Sequence, residues 1–195
     1  MSQTLILLFH RDLTTSSANQ TLHNRAAALP GVEVIDMQRL YPNGIIDMYT
    51  DAGDEARRLL SAHRIVLQFP VQWYSTPALL KTWQDSVLTR MFYIFAEDEG
   101  NRLAGKPLMV AATAGNTPSA YAPNGANRFT MDEIFTPLKA TAHRCGLVWH
   151  SPYIVFSADK LNEAELKEAA EGYANALDAF ISATPTARRQ DPVSA

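Results

Sequence analysis

Hydroxyl and amide side chains are concentrated in the segment HRDLTTSSANQ, residues 10–20, which follows an apolar run and precedes a stretch with helical periodicity. The first backbone N–H groups of a helix, together with its dipole, attract phosphate without a charged side chain. We therefore interpret Ser17, Ala18 and Asn19 as candidate phosphate donors, with an ordinary helix N-cap as the alternative. His10 ends the apolar run and is either a ligand contact or an unremarkable exposed histidine.

A second unusual segment, FPVQWYSTP at residues 69–77, is aromatic and bounded by prolines. Connecting loops are normally polar and exposed, yet this one carries Trp73 and Tyr74, whose rings offer flat apolar surface with a polar tip. Pro70 restrains the chain, so the backbone N–H groups that follow it can point outward. The segment offers an apolar wall and hydrogen-bond donors to a ligand, and aromatic capping of the core is the alternative.

A third segment, TAGNTPSAYAPNGANR at residues 113–128, is long and rich in turn-forming residues. Gly115 permits close approach of the backbone to a ligand. An irregular loop of this length is more often a functional lid than a plain connection, and disorder is the alternative.

Alternating strands and helices must position these three segments. The pattern predicts strands at residues 4–10, 32–37, 64–69, 106–113 and 147–156, the last interrupted by Pro152. It predicts helices at residues 18–28, 51–62, 77–92, 130–146 and 162–182. This alternation is typical of an α/β fold with a parallel sheet covered by helices on both faces. We expect the flavodoxin-like, five-stranded parallel sheet in strand order 2-1-3-4-5.

In such a sheet, ligands bind beyond the carboxyl ends of the strands, where the strand order reverses. For the expected order, that place is formed by the loops after strands 1, 3 and 4, which are the three unusual segments. We expect a single domain over residues 1–184, followed by a solvated tail at residues 185–195.

Composition narrows the functional classes. The chain has 195 residues, 47% of them hydrophobic and 19% charged, and a net charge of −3. Lys and Arg are scattered, which argues against nucleic acid as a partner because phosphate binding normally produces a basic face. Cys145 is the only cysteine, which excludes an internal disulfide framework and a thiolate metal cluster; we expect no metal site and a buried, unreactive thiol.

The sequence shows neither a signal peptide nor an apolar window long enough to cross a bilayer. We therefore expect a cytoplasmic protein, with peripheral association at the inner face of the membrane as the alternative.

Two long motifs in this order resemble the NAD(P)H:quinone oxidoreductases of the flavodoxin-like fold. The stretch FPVQWYSTPALLKTWQDSVL, residues 69–88, is similar to the family's third-strand loop and helix. The stretch ATAGNTPSAYAPNGANRFTMDEIFTPLKATAHRCGL, residues 112–147, is similar to its Thr-Thr-Gly-Gly loop, lid and following helix. The resemblance runs from His10 to about Ala158. It points to the branch of bacterial quinone reductases, stress-related reductases and ancillary subunits of glutathione-gated potassium efflux systems.

The resemblance implies FMN as cofactor; FAD is less expected because the chain ends soon after its fifth helix. Free N–H groups at Val71 to Tyr74 would bind the polar edge of the flavin, with Trp73 along the ring edge and Tyr74 shaping the substrate space. The cofactor-binding residues it implies are His10, Ser17, Ala18, Asn19, Pro70, Val71, Gln72, Trp73, Tyr74, Thr113, Ala114, Gly115, Asn116 and Tyr121. Tyr121 and Tyr74 are the expected catalytic residues.

Two parts of the sequence depart from the family pattern. The segment Thr113-Ala114-Gly115-Asn116 replaces Thr-Thr-Gly-Gly. Asn127 stands where animal relatives carry a histidine, so a proton relay through that histidine does not carry over. Tyr121 remains as the expected hydrogen-bond donor.

The activity implied by the resemblance is ping-pong, two-electron reduction. A hydride passes from NAD(P)H to flavin N5, and the flavin then reduces a quinone-like acceptor. An FMN, azo or nitro reductase is the alternative enzyme. A regulatory flavoprotein that docks on a membrane potassium-efflux transporter is an alternative of another class. The resemblance also implies a homodimer. An electron-carrying flavodoxin is disfavoured because such carriers usually have strongly acidic surfaces.

Overall fold

The computed structural model describes residues 4–184 and contains one parallel sheet of six strands. The strands are β1 Thr4–Leu8, β2 Val32–Asp36, β3 Arg64–Pro70, β4 Pro107–Thr113, β5 Val148–Trp149 and β6 Tyr153–Val155. Their order is β2-β1-β3-β4-β5, and β6 also pairs with β4. The expected flavodoxin-like order is confirmed. The predicted tail at residues 185–195 lies outside the described residues.

The predicted fifth strand is two short strands on the same partner. β5 pairs with the start of β4, at Pro107 and Leu108, while β6 pairs with its end, from Ala111 to Thr113. Pro152 lies between them and has no N–H to donate to a ladder, which explains why pairing stops and resumes.

Helices cover both faces of the sheet, as expected. They are α1 Ser17–Ala27, α2 Asp51–Ser61, α3 at residues 78–94, α4 at residues 131–144 and α5 Glu163–Ala183. Leu22 of α1 and Leu177 of α5 are buried on one face with Val66 of β3, whereas Leu59 of α2 and Trp83 of α3 are buried on the other. Burial of these two apolar layers is the main favourable contribution to folding.

Helix α3 is longer than predicted and unusual in form. It is α-helical over Ala78–Trp83 and then π-helical over Gln84–Leu88 and Arg90–Ile94. The backbone N–H of Phe95 accordingly donates to the carbonyl of Arg90, at 2.9 Å. Such widened turns are rare and normally occur singly.

Helix α4 begins at the predicted capping box, in which Thr130 and Glu133 exchange hydrogen bonds. It is divided at Phe135 into Met131–Ile134 and Thr136–Arg144. Pro137 supplies no N–H to the carbonyl four residues earlier, which accounts for the interruption. A short helix, Met37–Leu40, lies where only a loop was expected; the Asp36 side chain caps it by accepting the Arg39 N–H at 3.1 Å.

Candidate functional site

A cleft of about 400 Å³ opens at the carboxyl ends of β1, β3 and β4, where the strand order reverses. Among the predicted site residues, those that line it are His10, Ser17, Ala18, Asn19, Pro70, Val71, Thr113, Ala114 and Gly115. The others, Gln72, Trp73, Tyr74, Asn116 and Tyr121, lie outside this lining. The three loops singled out in the sequence therefore contribute to one site.

The N-terminus of α1 forms one wall of the cleft. Ser16 caps the helix, because its hydroxyl oxygen accepts the N–H of Asn19 at 3.2 Å. The first N–H groups of a helix have no intrahelical acceptor, so those of Ser17 and Ala18 remain available to a ligand. The expectation that Asn19 is also a phosphate donor is wrong for its backbone, since the cap already takes that N–H.

The side chain of Asn19 is likewise engaged, in a buried network below the cleft. Its amide nitrogen donates to the hydroxyl of Thr113 at 3.0 Å. Gln68 donates to the carbonyl of Asn19 at 3.3 Å and accepts the hydroxyl of Tyr173 at 3.3 Å. Since buried polar groups are costly when unpaired, this network fixes the start of α1 relative to the ends of β3 and β4.

His10 presents a neutral imidazole to the cleft. Burial is the largest effect and lowers its pKa below the usual value, against the opposing influence of Asp12. Its Nδ1 accepts the backbone N–H of Asp12 at 3.2 Å. With Nδ1 acting as acceptor, the proton of the neutral ring belongs on Nε2, which makes His10 a hydrogen-bond donor.

The aromatic segment after β3 forms a tight two-residue turn. Gln72 and Ser75 exchange backbone hydrogen bonds of 3.0 Å, with Trp73 and Tyr74 at the corner. Both corner residues have positive φ, 48° and 60°, a conformation that turns of this kind normally assign to Asn and Gly. Trp73 is 94% exposed and Tyr74 50%, so neither ring caps the core.

The turn corrects part of the donor prediction. The N–H of Val71 donates to the carbonyl of Thr113 at 2.8 Å, and that of Gln72 donates to Ser75. Both are therefore unavailable to a ligand. In residues 4–184, the N–H groups of Trp73 and Tyr74 donate to no other residue, so two of the four expected donors remain.

The loop after β4 is ordered, which argues against the disorder alternative. Ala114 donates to the carbonyl of Val155 at 2.8 Å, and the Asn116 side chain accepts the N–H of Thr117 at 2.9 Å. The longer side chain at Asn116 is thus engaged within its own loop. A Cβ placed on Gly115 would meet only Asp159 Oδ1, at 3.6 Å, so the space above Gly115 belongs to the cleft.

Tyr121 and Tyr74 stand near one another at the margin of the site. Tyr121 ends a short helix, Pro118–Tyr121, and its ring lies against Phe156 with a centroid distance of 5.7 Å. Burial raises the pKa of its phenol, partly offset by the backbone N–H of Asn116. Tyr74 donates its hydroxyl to Asn127 Oδ1 at 3.4 Å.

The sequence matches the family described as having a flavodoxin-like fold over residues 2–177. The chain belongs to this flavodoxin-like family. The predicted resemblance to the NAD(P)H:quinone oxidoreductases is confirmed.

Relatives of this flavodoxin-like chain include a potassium-efflux ancillary protein and an NAD(P)H oxidoreductase. The glutathione-regulated potassium-efflux system ancillary protein KefG of Cronobacter sakazakii is 38% identical over 176 residues, covering 89% of this chain and 92% of that protein. The uncharacterised NAD(P)H oxidoreductase YrkL of Bacillus subtilis is 35% identical over 177 residues, covering 91% and 98%. Among solved structures, the general stress protein 14 of Treponema denticola, in complex with FMN, has a TM-score of 0.82 and 27% identity, covering 91% of this chain and 99% of that one.

A fourth segment of the flavodoxin-like fold reaches the cleft and was not predicted. Ala158, Asp159 and Leu161, which follow β6, line it together with Thr15 and Ser16. Ala158 donates to the carbonyl of Ala114 at 3.0 Å, which joins this segment to the loop after β4. The sequence could have indicated this segment, because it follows the last strand and therefore lies at the same edge of the sheet as the other three loops.

Cys145 lies away from the cleft, at the end of α4, and is buried. Burial raises the pKa of its thiol to about 11. The expectation of a buried cysteine is confirmed, and the raised pKa disfavours the thiolate, which is the reactive form. Within residues 4–184 of this flavodoxin-like chain, no helix combines the length and apolarity needed to cross a bilayer.

Proposed function

We propose that this protein is an FMN-dependent NAD(P)H:quinone oxidoreductase. The observation that carries the proposal is the cleft itself, which is lined by the N-terminus of α1 and by Pro70 and Val71, the residues that lead into the exposed aromatic turn. Membership in a family of flavodoxin-like NAD(P)H oxidoreductases supports it.

The phosphate end of the cleft suits the cofactor. Ser17 and Ala18 supply backbone N–H groups at a helix N-terminus, where a phosphate is stabilised by the helix dipole. His10 adds a neutral donor. The residues lining the cleft include no lysine or arginine, so phosphate binding would rest on oriented backbone and side-chain dipoles. Asp159, the acidic residue of the lining, lies beside Gly115 in the loop after β4.

The ring end also suits a flat heterocycle. A side chain at Gly115 would occupy space that the cleft now leaves open. The N–H groups of Trp73 and Tyr74 would bind the ring edge, and Thr113 and Ala114 would line the pyrimidine end. When bound, FMN supplies the redox chemistry, taking two electrons from a reduced nicotinamide and delivering them to the acceptor.

This chain's own residues would orient the reactants and hold protons. The Tyr121 phenol is protonated through the neutral pH range, as any tyrosine is, and burial raises its pKa further, so it can donate a hydrogen bond where negative charge develops. Trp73 and Tyr74 would exclude water from one side of the reacting rings. No carboxylate or protonated amine is required for these roles.

The test is the visible spectrum of the purified protein under nitrogen, before and after NADPH. Flavin bands near about 375 and 450 nm that bleach on reduction, with FMN released on denaturation, are expected. Turnover with a soluble quinone, compared with azo and nitro acceptors, then assigns the substrate. A colourless chain that neither binds added FMN nor oxidises NADPH would refute the proposal.

A regulatory role beside a membrane transporter is the second candidate, and the 38% identity to a potassium-efflux ancillary protein favours it. The candidate predicts that the protein co-purifies with a potassium-efflux transporter from detergent-solubilised membranes. It also predicts that its absence slows glutathione-gated potassium release. Normal quinone turnover without either effect would leave the enzymatic role alone.

We also infer a homodimer. Around the end of α3, Tyr93, Ile94 and Phe95 are exposed apolar side chains, a grouping that marks interaction surfaces more often than free surface. Sedimentation equilibrium should give twice the chain mass, and Tyr93→Asp with Ile94→Asp should lower it. A wild-type chain that sediments as a monomer at micromolar concentration would contradict the inference.

A further inference from the structure

The corner of the aromatic turn is strained, and two backbone hydrogen bonds between Gln72 and Ser75 close it. Trp73 and Tyr74 both adopt positive φ, where the Cβ of an L-residue approaches backbone atoms too closely. Such conformations persist only when the surrounding structure holds them. The two rings are exposed, so packing against the core supplies little of that support.

The structure provides one side-chain hydrogen bond to this corner. Tyr74 donates its hydroxyl to Asn127 Oδ1 at 3.4 Å, which joins the turn after β3 to the loop after β4. Among residues 4–184, Trp73 and Tyr74 have no other side-chain hydrogen bond to the rest of the protein.

Asn127 stands on a firmly built part of its loop. Its backbone N–H donates to the carbonyl of Ala120 at 2.9 Å. Gly125 is pressed against the same stretch, since a Cβ there would lie 2.2 Å from the carbonyl oxygen of Ser119. Asn127 is therefore held in place by its own loop, and its side chain can serve as a fixed acceptor for the Tyr74 hydroxyl.

We propose that Asn127 is a positioning residue that tethers the strained turn and so keeps the N–H groups of Trp73 and Tyr74 directed at the edge of the cofactor. The purpose of the tether rests on the proposed function, whereas the tether itself is a property of the chain without ligand. The amide of asparagine is uncharged at every physiological pH, so this link between the two loops does not titrate, as a histidine at the same position would.

The tether is tested first without flavin, by hydrogen exchange at the backbone amides of Gln72 and Ser75, which close the turn. One net hydrogen bond corresponds to about a five-fold change in an opening equilibrium. Asn127→Ala and Tyr74→Phe should each accelerate exchange about five-fold, and Asn127→Asp, which keeps an acceptor oxygen, should restore it. Asn124→Ala, in the same loop, is the matched control and should exchange at the wild-type rate.

The consequence for the cofactor is tested by FMN titration of the same variants, followed by flavin fluorescence. Asn127→Ala and Tyr74→Phe should weaken FMN binding by a similar factor, and the double variant should be no weaker than either single one, because both remove one interaction. The KM for NADPH should move less than the FMN dissociation constant.

The outcomes distinguish the Tyr74–Asn127 tether from its effect on FMN binding. Wild-type exchange rates in Asn127→Ala would overturn the tether. Faster exchange with unchanged FMN affinity would overturn the positioning role and leave FMN binding intact. If the exchange rates of the variants change as expected but the wild-type chain binds no FMN, the tether is supported and the proposed FMN-dependent function is refuted.

Discussion

His10 shows how burial prepares a residue for binding. Its pKa is lowered mainly by burial, so the folded chain resists taking up a proton that the unfolded chain accepts near its ordinary value of about 6.5. The unfolded state therefore binds more protons in the window just below that pH. By linkage, the free energy of unfolding falls as the pH drops from about 6.5 toward the lowered pKa of the folded state.

We predict that His10→Asn reduces this acid dependence. Asparagine keeps an oxygen that can accept the Asp12 N–H, and it carries no titrating proton. Urea unfolding at intervals between pH 7 and pH 5 should give a shallower slope for the variant than for wild type. Identical slopes would show that His10 is not held neutral by the fold.

Thr113 supports the cleft from below, since its hydroxyl accepts the side-chain N–H of Asn19 in a buried setting. Thr113→Val preserves the volume and removes one of the two acceptors of the Asn19 amide nitrogen, leaving only the hydroxyl of Ser16 at 3.2 Å. We expect a loss of about 1–3 kcal/mol in the free energy of unfolding, measured by urea denaturation. Thr113→Ser keeps the hydroxyl and should lose clearly less; equal losses in both would assign the effect to packing.

For single residues, the sequence indicated the three loops that meet at the cleft but not which of their N–H groups already have acceptors within the protein. Hydroxyls before a helix and aromatics between prolines are visible in one dimension. The bonds from Val71 to Thr113 and from Asn19 to the Ser16 cap depend on strand register and on the start of α1. Because register and helix start are not visible in the sequence, the N–H groups of Val71, Gln72 and Asn19 were assigned to a ligand although each already has an acceptor within the protein.

Among the elements, α2 and α3 are joined through one buried carboxylate. Glu55 is fully buried and accepts hydrogen bonds from Trp83 Nε1 and the Tyr41 hydroxyl, each at 3.1 Å, and from Arg58 Nε at 3.3 Å. Burial, together with the proximity of this carboxylate, raises the pKa of Tyr41. A buried charge with such partners fixes the relative position of the helices more surely than it adds stability.

We predict that Glu55→Gln destabilises the protein by about 1–3 kcal/mol, because one amide oxygen replaces two carboxylate oxygens and leaves a buried donor short of an acceptor. Chemical denaturation followed by tryptophan fluorescence gives the value. Asp54→Asn, one residue earlier and exposed, is the control and should change stability little. A Glu55→Gln variant as stable as wild type would refute the role of this carboxylate.

The boundaries of helices and strands were predictable from the sequence where a residue close to the boundary sets it. The capping box at Thr130 and the break at Pro152 were predictable because each acts within a few residues. The π-helical turns of α3 were not predicted. Its buried residues Trp83, Val87 and Met91 recur every fourth position, a spacing that also fits an ordinary helix, so periodicity alone does not reveal the widening.

For the whole molecule, the site predicts a specific stabilisation by FMN. A ligand that binds only the folded state at about 100 times its dissociation constant raises the free energy of unfolding by about 2.7 kcal/mol. Thermal unfolding of the chain should therefore shift upward with added FMN. Riboflavin, which lacks the phosphate, should shift it less, because the N–H groups of Ser17 and Ala18 then lack an anion. Equal shifts would place the phosphate away from α1.

The buried thiol described above bears on the proposed quinone reductase activity. Quinones are electrophiles that alkylate exposed thiolates, and a catalyst with a reactive cysteine would be consumed by its own substrate. Here the only cysteine in the sequence is enclosed in the core, with a pKa of about 11. Addition of a quinone to this sulfur would thus require the core to open first.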